Sequence, residues 1–97
     1  MEDYFSDKTH FVVNVRVTQR NGRKMITLID GFPSEYDLVK ILRYIKKIYK
    51  CGGAILKDNR EEGAEVLQLS GDQRQNVYDF FTKYNVLDKH NIKVHGA

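Results

Sequence analysis

At 97 residues, with 41% hydrophobic and 11% aromatic content, the chain has enough apolar material for one compact core and too little length for a second. The 30% charged fraction is broken by apolar runs, which excludes wholesale disorder, and no apolar run approaches the roughly 20 residues that cross a bilayer. Lys and Arg number 16 against 13 acids, a formal +3, so any case for a nucleic-acid partner rests on where the charges fall rather than on their total.

Residues 1–10 carry Tyr4 and Phe5 as their apolar anchors and are expected to form a flexible tail, leaving a single domain over residues 11–97. The Met-Glu-Asp-Tyr start lacks the basic and apolar regions of a signal peptide, and Cys51 stands alone. Both point to a cytoplasmic protein with no membrane partner, no internal disulfide and no Cys-rich metal knuckle.

Phe11, Val13, Val15 and Val17 alternate with Val12, Asn14, Arg16 and Thr18, the period-two pattern of a strand with one buried face. A second β-rich run, Met25 to Asp30, follows after Asn21-Gly22, a dipeptide that tolerates the positive φ of a type I′ turn. A two-residue turn sets Arg20 opposite Arg23, Gln19 opposite Lys24, Val17 opposite Ile26 and Val15 opposite Leu28, with Arg16 and Thr27 meeting on the other face. A longer loop is expected to loosen the tip without changing which face is apolar.

Pro33-Ser34 followed by Asp37 predicts a helix start capped by the Ser34 hydroxyl, with the helix running to about Tyr49. Leu38, Ile41, Leu42, Ile45, Ile48 and Tyr49 form its apolar stripe. Lys40, Arg43, Lys47 and Lys50 cluster opposite, with Lys46 at the margin, and Gly52-Gly53 are expected to end the helix. Ala54 to Lys57 and Glu65 to Leu69 are strand candidates around the polar stretch Asp58-Asn59-Arg60-Glu61-Glu62-Gly63. Ser70 with Gln73 resembles a capping box opening a second helix with the stripe Val77, Phe80, Phe81 and Tyr84. Asn85 is its expected stop, ahead of a last β-like run from Ile92 to His95. The order ββαββαβ implies an α+β two-layer sandwich, a mostly antiparallel sheet with two helices on one face. The other face, with Arg16, Thr18 and Thr27, stays open to water or a partner.

The cluster Arg16, Arg20, Arg23 and Lys24 reads either as a solubilising hairpin tip or as a phosphate- and base-contacting ribbon. The helix face reads either as a solvated side, the usual case, or as a second phosphate surface, and its freedom from acids beyond the first turn weakens the former. Catalysis needs a convergent nucleophile and base, yet Cys51, His10, His90 and His95 lie in unrelated segments. His90 and His95 lack further soft ligands, and phosphate-loop and dinucleotide motifs are missing, so no metal and no cofactor is expected.

Gln19-Arg20-Asn21-Gly22-Arg23-Lys24, Gly71-Asp72-Gln73-Arg74 and Asn91-Ile92-Lys93-Val94-His95-Gly96 resemble the eukaryotic translation initiation factor 1 family. Asp30-Gly31-Phe32-Pro33, Glu35-Tyr36-Asp37-Leu38, Cys51-Gly52-Gly53 and Val66-Leu67-Gln68-Leu69 follow the same order, so the resemblance spans Phe11 to Ala97. It implies a non-enzymatic factor on the small ribosomal subunit beside the peptidyl site, which promotes scanning, opposes wrong start codons and leaves on start-codon recognition. Its implied partners are ribosomal RNA, the vicinity of initiator tRNA and messenger RNA, and other initiation factors, with a monomer off the ribosome. Carried over, Arg20, Asn21, Gly22, Arg23 and Lys24 form the basic loop near messenger and initiator tRNA, while Lys40, Arg43, Lys46, Lys47 and Lys50 lie on ribosomal RNA. Asp72 and Gln73 match a motif of start-site stringency, and Asp58, Asn59, Arg60 and Glu61 belong to a second loop that crowds the initiator tRNA. That second loop is a residue longer and more acidic than is usual in the family. A protein-interaction module using the same fold, its basic helix meeting an acidic partner, stays open as a reading of another class.

Overall fold

The computed structural model describes residues 11–20, 22–58 and 64–96; the expected tail 1–10, Asn21, Ala97 and the second-loop residues Asn59, Arg60 and Glu61 lie outside them. Strands β1 (Val13–Arg20) and β2 (Lys24–Asp30) are followed by helix α1 (Leu38–Tyr49), strands β3 (Gly53–Lys57) and β4 (Glu65–Ser70), helix α2 (Arg74–Lys83) and strand β5 (Ile92–Val94). The order ββαββαβ and the α+β class are as expected. The sheet runs β3-β4-β2-β1-β5, antiparallel except where β5 lies parallel to β1. The helices cover one face, α1 against β3 and α2 against β1 and β5.

The hairpin register differs from expectation by one residue. Arg20 pairs with Lys24, Gln19 with Met25, Val17 with Thr27 and Val15 with Ile29, so the loop holds residues 21–23 and Gly22 supplies a positive φ of 78°. Because side chains alternate faces, one extra loop residue turns the whole of β2 over. Thr27 and Ile29 therefore join Val13 and Val15 in the core, while Ile26 and Leu28 stand half-buried on the outer face with Arg16 and Thr18. β2 has a second neighbour, and there Leu67 and Leu69 of β4 stand opposite Ile29 and Thr27 on the same inward face.

Helix α1 begins later than expected. Residues 33–36 form a turn, with Tyr36 N donating to Pro33 O at 3.1 Å, and Asp37 is the cap, its carboxylate accepting from Lys40 N at 3.1 Å. The predicted end at Tyr49 holds, but Lys50 takes the left-handed conformation (φ 52°) that stops the helix. Gly53 serves packing instead: a Cβ there would come within 2.8 Å of Gln68 O, 2.9 Å of Leu69 Cδ2 and 3.0 Å of Leu42 Cδ1. Of the α1 stripe, Ile41, Leu42 and Ile45 are buried and Ile48 is exposed; of the α2 stripe, Val77, Phe80 and Phe81 are buried and Tyr84 is exposed.

The expected capping box is replaced by other contacts. Ser70 is the last residue of β4, Gln73 caps α2 without a side-chain bond, and the Asp72 carboxylate accepts from Arg74 N at 3.2 Å. Asn85 does follow the helix in the left-handed region (φ 55°). Val13, Val15, Ile29, Ile45, Leu67, Leu69, Val77 and Phe81 are fully enclosed between the layers. Each such side chain contributes about 1.5–3 kcal/mol relative to exposure, enough to fix which face of every strand looks inward.

Candidate nucleic-acid interface

Strand directions decide what meets at each end of the sheet. β1 runs towards its loop with Arg20, and β5, parallel to it, runs the same way to His95. β4 ends at Ser70 opposite Ile26 of β2, one residue short of Met25, whose carbonyl accepts from Gly71 N at 2.8 Å. The far side of that turn meets the end of α1, since Ser70 N donates to Gly52 O at 2.9 Å. One end of the sheet therefore gathers the basic loop, the last turn of α1 with Lys47 and the Lys50 that follows it, the Gly71–Arg74 turn and His95.

The basic residues expected to bind are exposed and uncommitted, although Lys40, in the first turn of α1 beside Asp37, lies towards the opposite end. Arg20, Arg23, Lys24, Lys40, Arg43, Lys46, Lys47 and Lys50 are all exposed, and among the described residues none of them enters an ion pair. Gln19 Nε2 donates to Gly22 O across the loop, a local bond that orders the approach to the tip. Uncommitted guanidinium and ammonium groups on a ribbon and a neighbouring helix end present multiple donors to phosphates without first breaking internal bonds.

Arg74 is different. Its Nε and Nη2 donate to Asp72 Oδ1 at 2.9 Å and Oδ2 at 2.8 Å, and its Nη1 donates to His95 O at 2.9 Å. The hydrogen bonds from Arg74 hold the Asp72 carboxyl below the usual carboxylate range. His95 in turn donates through Nε2 to Asn14 Oδ1 at 3.0 Å, Asn14 Nδ2 donates to Asp30 Oδ1 at 3.1 Å, and Arg16 pairs with the second oxygen of Asp30. Asp72, though exposed, is thus already engaged within the protein, by Arg74. Gln73 is too, with its Nε2 donating to Ser70 O at 3.0 Å and its Oε1 accepting from Asn76 Nδ2 at 2.8 Å.

Asp58 does not join them. Its N donates to Ala64 O at 3.0 Å, and it leaves β3 where β4 begins, at the opposite end of the sheet from Ser70. The six residues of β4 put roughly 20 Å between the two ends. Residues that sequence reasoning passed over are Thr27, taken as an outer-face residue, and Asn14, His95 and the Arg74 bond to the His95 carbonyl, whose partners lie 16 to 81 residues apart, too far for any local pattern to pair them. Cys51 sits half-buried between α1 and β3, where burial pushes its thiol up and away from the nucleophilic thiolate. Among the described residues no cluster of His, Cys, Asp and Glu could hold a metal ion.

Residues 10–87 match the family model described as translation initiation factor SUI1. The chain is 48% identical over 84 residues to the eukaryotic translation initiation factor eIF-1 of Saccharomyces cerevisiae, a match covering 87% of this chain and 76% of that protein. It is 45% identical over 85 residues to eukaryotic translation initiation factor eIF1 of Drosophila melanogaster, covering 88% and 76%. In fold it is similar to the C-terminal domain of human eIF2D, with a TM-score of 0.73 at 13% identity over 84% of this chain and 41% of that one. With the family model matched over residues 10–87 and relatives named as initiation factors nearly half identical over most of their length, the chain belongs to the SUI1 family of translation initiation factors.

Proposed function

We propose that this chain is a cytoplasmic, non-enzymatic initiation factor that binds the small ribosomal subunit near the peptidyl site, promotes scanning, enforces accurate start-codon selection and is released when the start codon is recognised. Family membership supports a role in translation initiation. The observation that carries the finer reading is the convergence of uncommitted cations at one end of the sheet, Arg20, Arg23 and Lys24 on the ribbon beside Lys47 and Lys50 of α1. In this reading the helix face anchors the protein on ribosomal RNA, and the tip, with initiator tRNA and messenger close by, senses the peptidyl site. Asp72 and Gln73 tune stringency from within the fold.

Changing Arg20, Arg23 and Lys24 together to Ala removes the tip's phosphate donors. Small-subunit affinity should fall, and the slope of log affinity against log salt should become shallower by roughly 2 to 3, at about 0.7–0.9 per phosphate contact. In cells depleted of their own factor, the wild-type chain should restore start-codon discrimination and the triple variant should not. Unchanged binding with an unchanged slope would remove the tip from the interface.

A second reading, docking of an acidic protein, is favoured by one feature. Tyr44, Lys47, Ile48, Phe80, Tyr84 and Val86 line a groove of about 690 Å³ between the helices, and Tyr44, Ile48 and Tyr84 leave it exposed and apolar beside a cation. A protein partner that survives nuclease treatment in a pull-down supports this reading, whereas recovery of ribosomal RNA alone supports the first.

A further inference from the structure

Thr27 is a polar side chain at 0% exposure in a row otherwise built from Val17, Leu69 and their apolar neighbours. A hydroxyl so placed is unfavourable unless its proton and a lone pair are both used. Both are: Thr27 Oγ1 donates to Gly71 O at 2.7 Å and accepts from Gln73 N at 2.7 Å. With Gly71 N donating to Met25 O, three hydrogen bonds fasten β2 to the turn between β4 and α2.

The place of this staple matters. Pairing of β2 with β4 stops at Ile26 and Ser70, and pairing of β1 with β5 stops at Val15 and Val94, extended by His95 N donating to Val15 O at 2.9 Å. Beyond those points, apart from the Gly71 bond to the Met25 carbonyl, Thr18–Arg20 and Lys24–Met25 pair with each other. Thr27 therefore stands at the root, where the ribbon leaves the sheet. The same turn grips the other strand indirectly, because Arg74 donates to His95 O and β5 borders β1.

We propose that Thr27 is a positioning residue for the basic ribbon, its hydroxyl locking the ribbon's root to the Gly71–Gln73 turn so that Asp72 and Gln73 affect start-codon selection by aiming Arg20, Arg23 and Lys24. The inference rests on the reading of the tip as an RNA contact. A purely space-filling role makes a different demand, since Val has nearly the same shape and would then serve as well or better.

The test uses the full chain with Thr27→Val, Thr27→Ser and Thr27→Ala, each measured for small-subunit affinity alone and combined with the triple Ala change at Arg20, Arg23 and Lys24. Thermal unfolding checks the fold. Thr27→Val should weaken binding on the order of tenfold in the wild-type background and less than about twofold when the tip cations are gone, the non-additivity expected of residues that act through one another. Thr27→Ser should bind as the wild type. If Thr27→Val does not fold, the Ser and Ala variants decide, Ser binding normally and Ala losing affinity. Wild-type binding by Thr27→Val, or an equal loss in both backgrounds, overturns the positioning role. Should the triple Ala change alone leave binding intact, the RNA-contact reading falls first and takes this inference with it.

Discussion

The Asp72 carboxylate holds Arg74 by two of its guanidinium donors, and Arg74 alone carries the link onward to the His95 carbonyl. Because the bond draws the Asp72 carboxyl below its ordinary value of 3.8, the folded state binds that proton less readily than the unfolded chain. The stabilisation is therefore fully present above pH 3.8 and is lost as the pH falls through the lower folded-state value. Asp72→Asn should be less stable than the wild type near neutrality, and the gap should close below about pH 4 in denaturant titrations run across the acid range; a constant gap would exclude this bond as the cause. Since the pair is largely exposed, the effect should be small. At this scale sequence reading found the charged residues and missed their assignments. Thr27 is β-branched and scans like a strand valine, and its two partners are 44 and 46 residues away, so nothing local marks it as a staple.

Helix α1 was legible because a period of 3.6 exposes both its faces at once, and Lys40, Arg43 and Lys47 fall opposite Ile41 and Ile45 wherever the helix starts. Its ends were less so. Asp37, Ser34 and Pro33 all suit a helix start, and only the turn closed by Pro33 O selects Asp37 as the cap. The exposure of Ile48 and Tyr84 was hidden for a similar reason, since a stripe does not reveal how far the opposing layer extends. Gly53 gives the element scale its prediction. Gly53→Ala should cost about 1–3 kcal/mol in denaturant unfolding because the added methyl meets both the β4 backbone and Leu42 of α1, whereas Gly52→Ala, facing only the Ser70 side chain, should cost less.

Taken whole, the molecule has two unlike ends. The loop end carries Arg20, Arg23, Lys24, Lys47 and Lys50, with Asp72 neutralised by Arg74, while Glu35, Asp37, Asp58 and Asp88 lie towards the other, mixed with Lys40, Lys57, Lys83 and Lys89. A mild total charge conceals this separation, which comes from topology: α1 and β1 both run towards the loop end. Such a distribution orients approach to a polyanion and makes the association rate salt-sensitive. Lys50→Ala should make the salt dependence of small-subunit binding shallower by about 1, and Lys57→Ala with Lys89→Ala should leave it as it was. Equal effects from the two ends would argue against a preferred orientation.

The odd length of the β1–β2 loop carries a consequence of its own. β2 is the middle strand, gripped by β4 as well as β1, so it cannot slide to absorb a change in the loop. Losing or gaining one residue there would ask Thr27 to trade places with Ile26 or Leu28, which the flanking strand forbids, and the misfit would have to be taken up in the unflanked stretch near the tip. Adding two residues raises no such conflict and extends the ribbon by a rung. What the tip must preserve is parity rather than length, and within that rule its reach and its charge are free to vary while the core stays as it is.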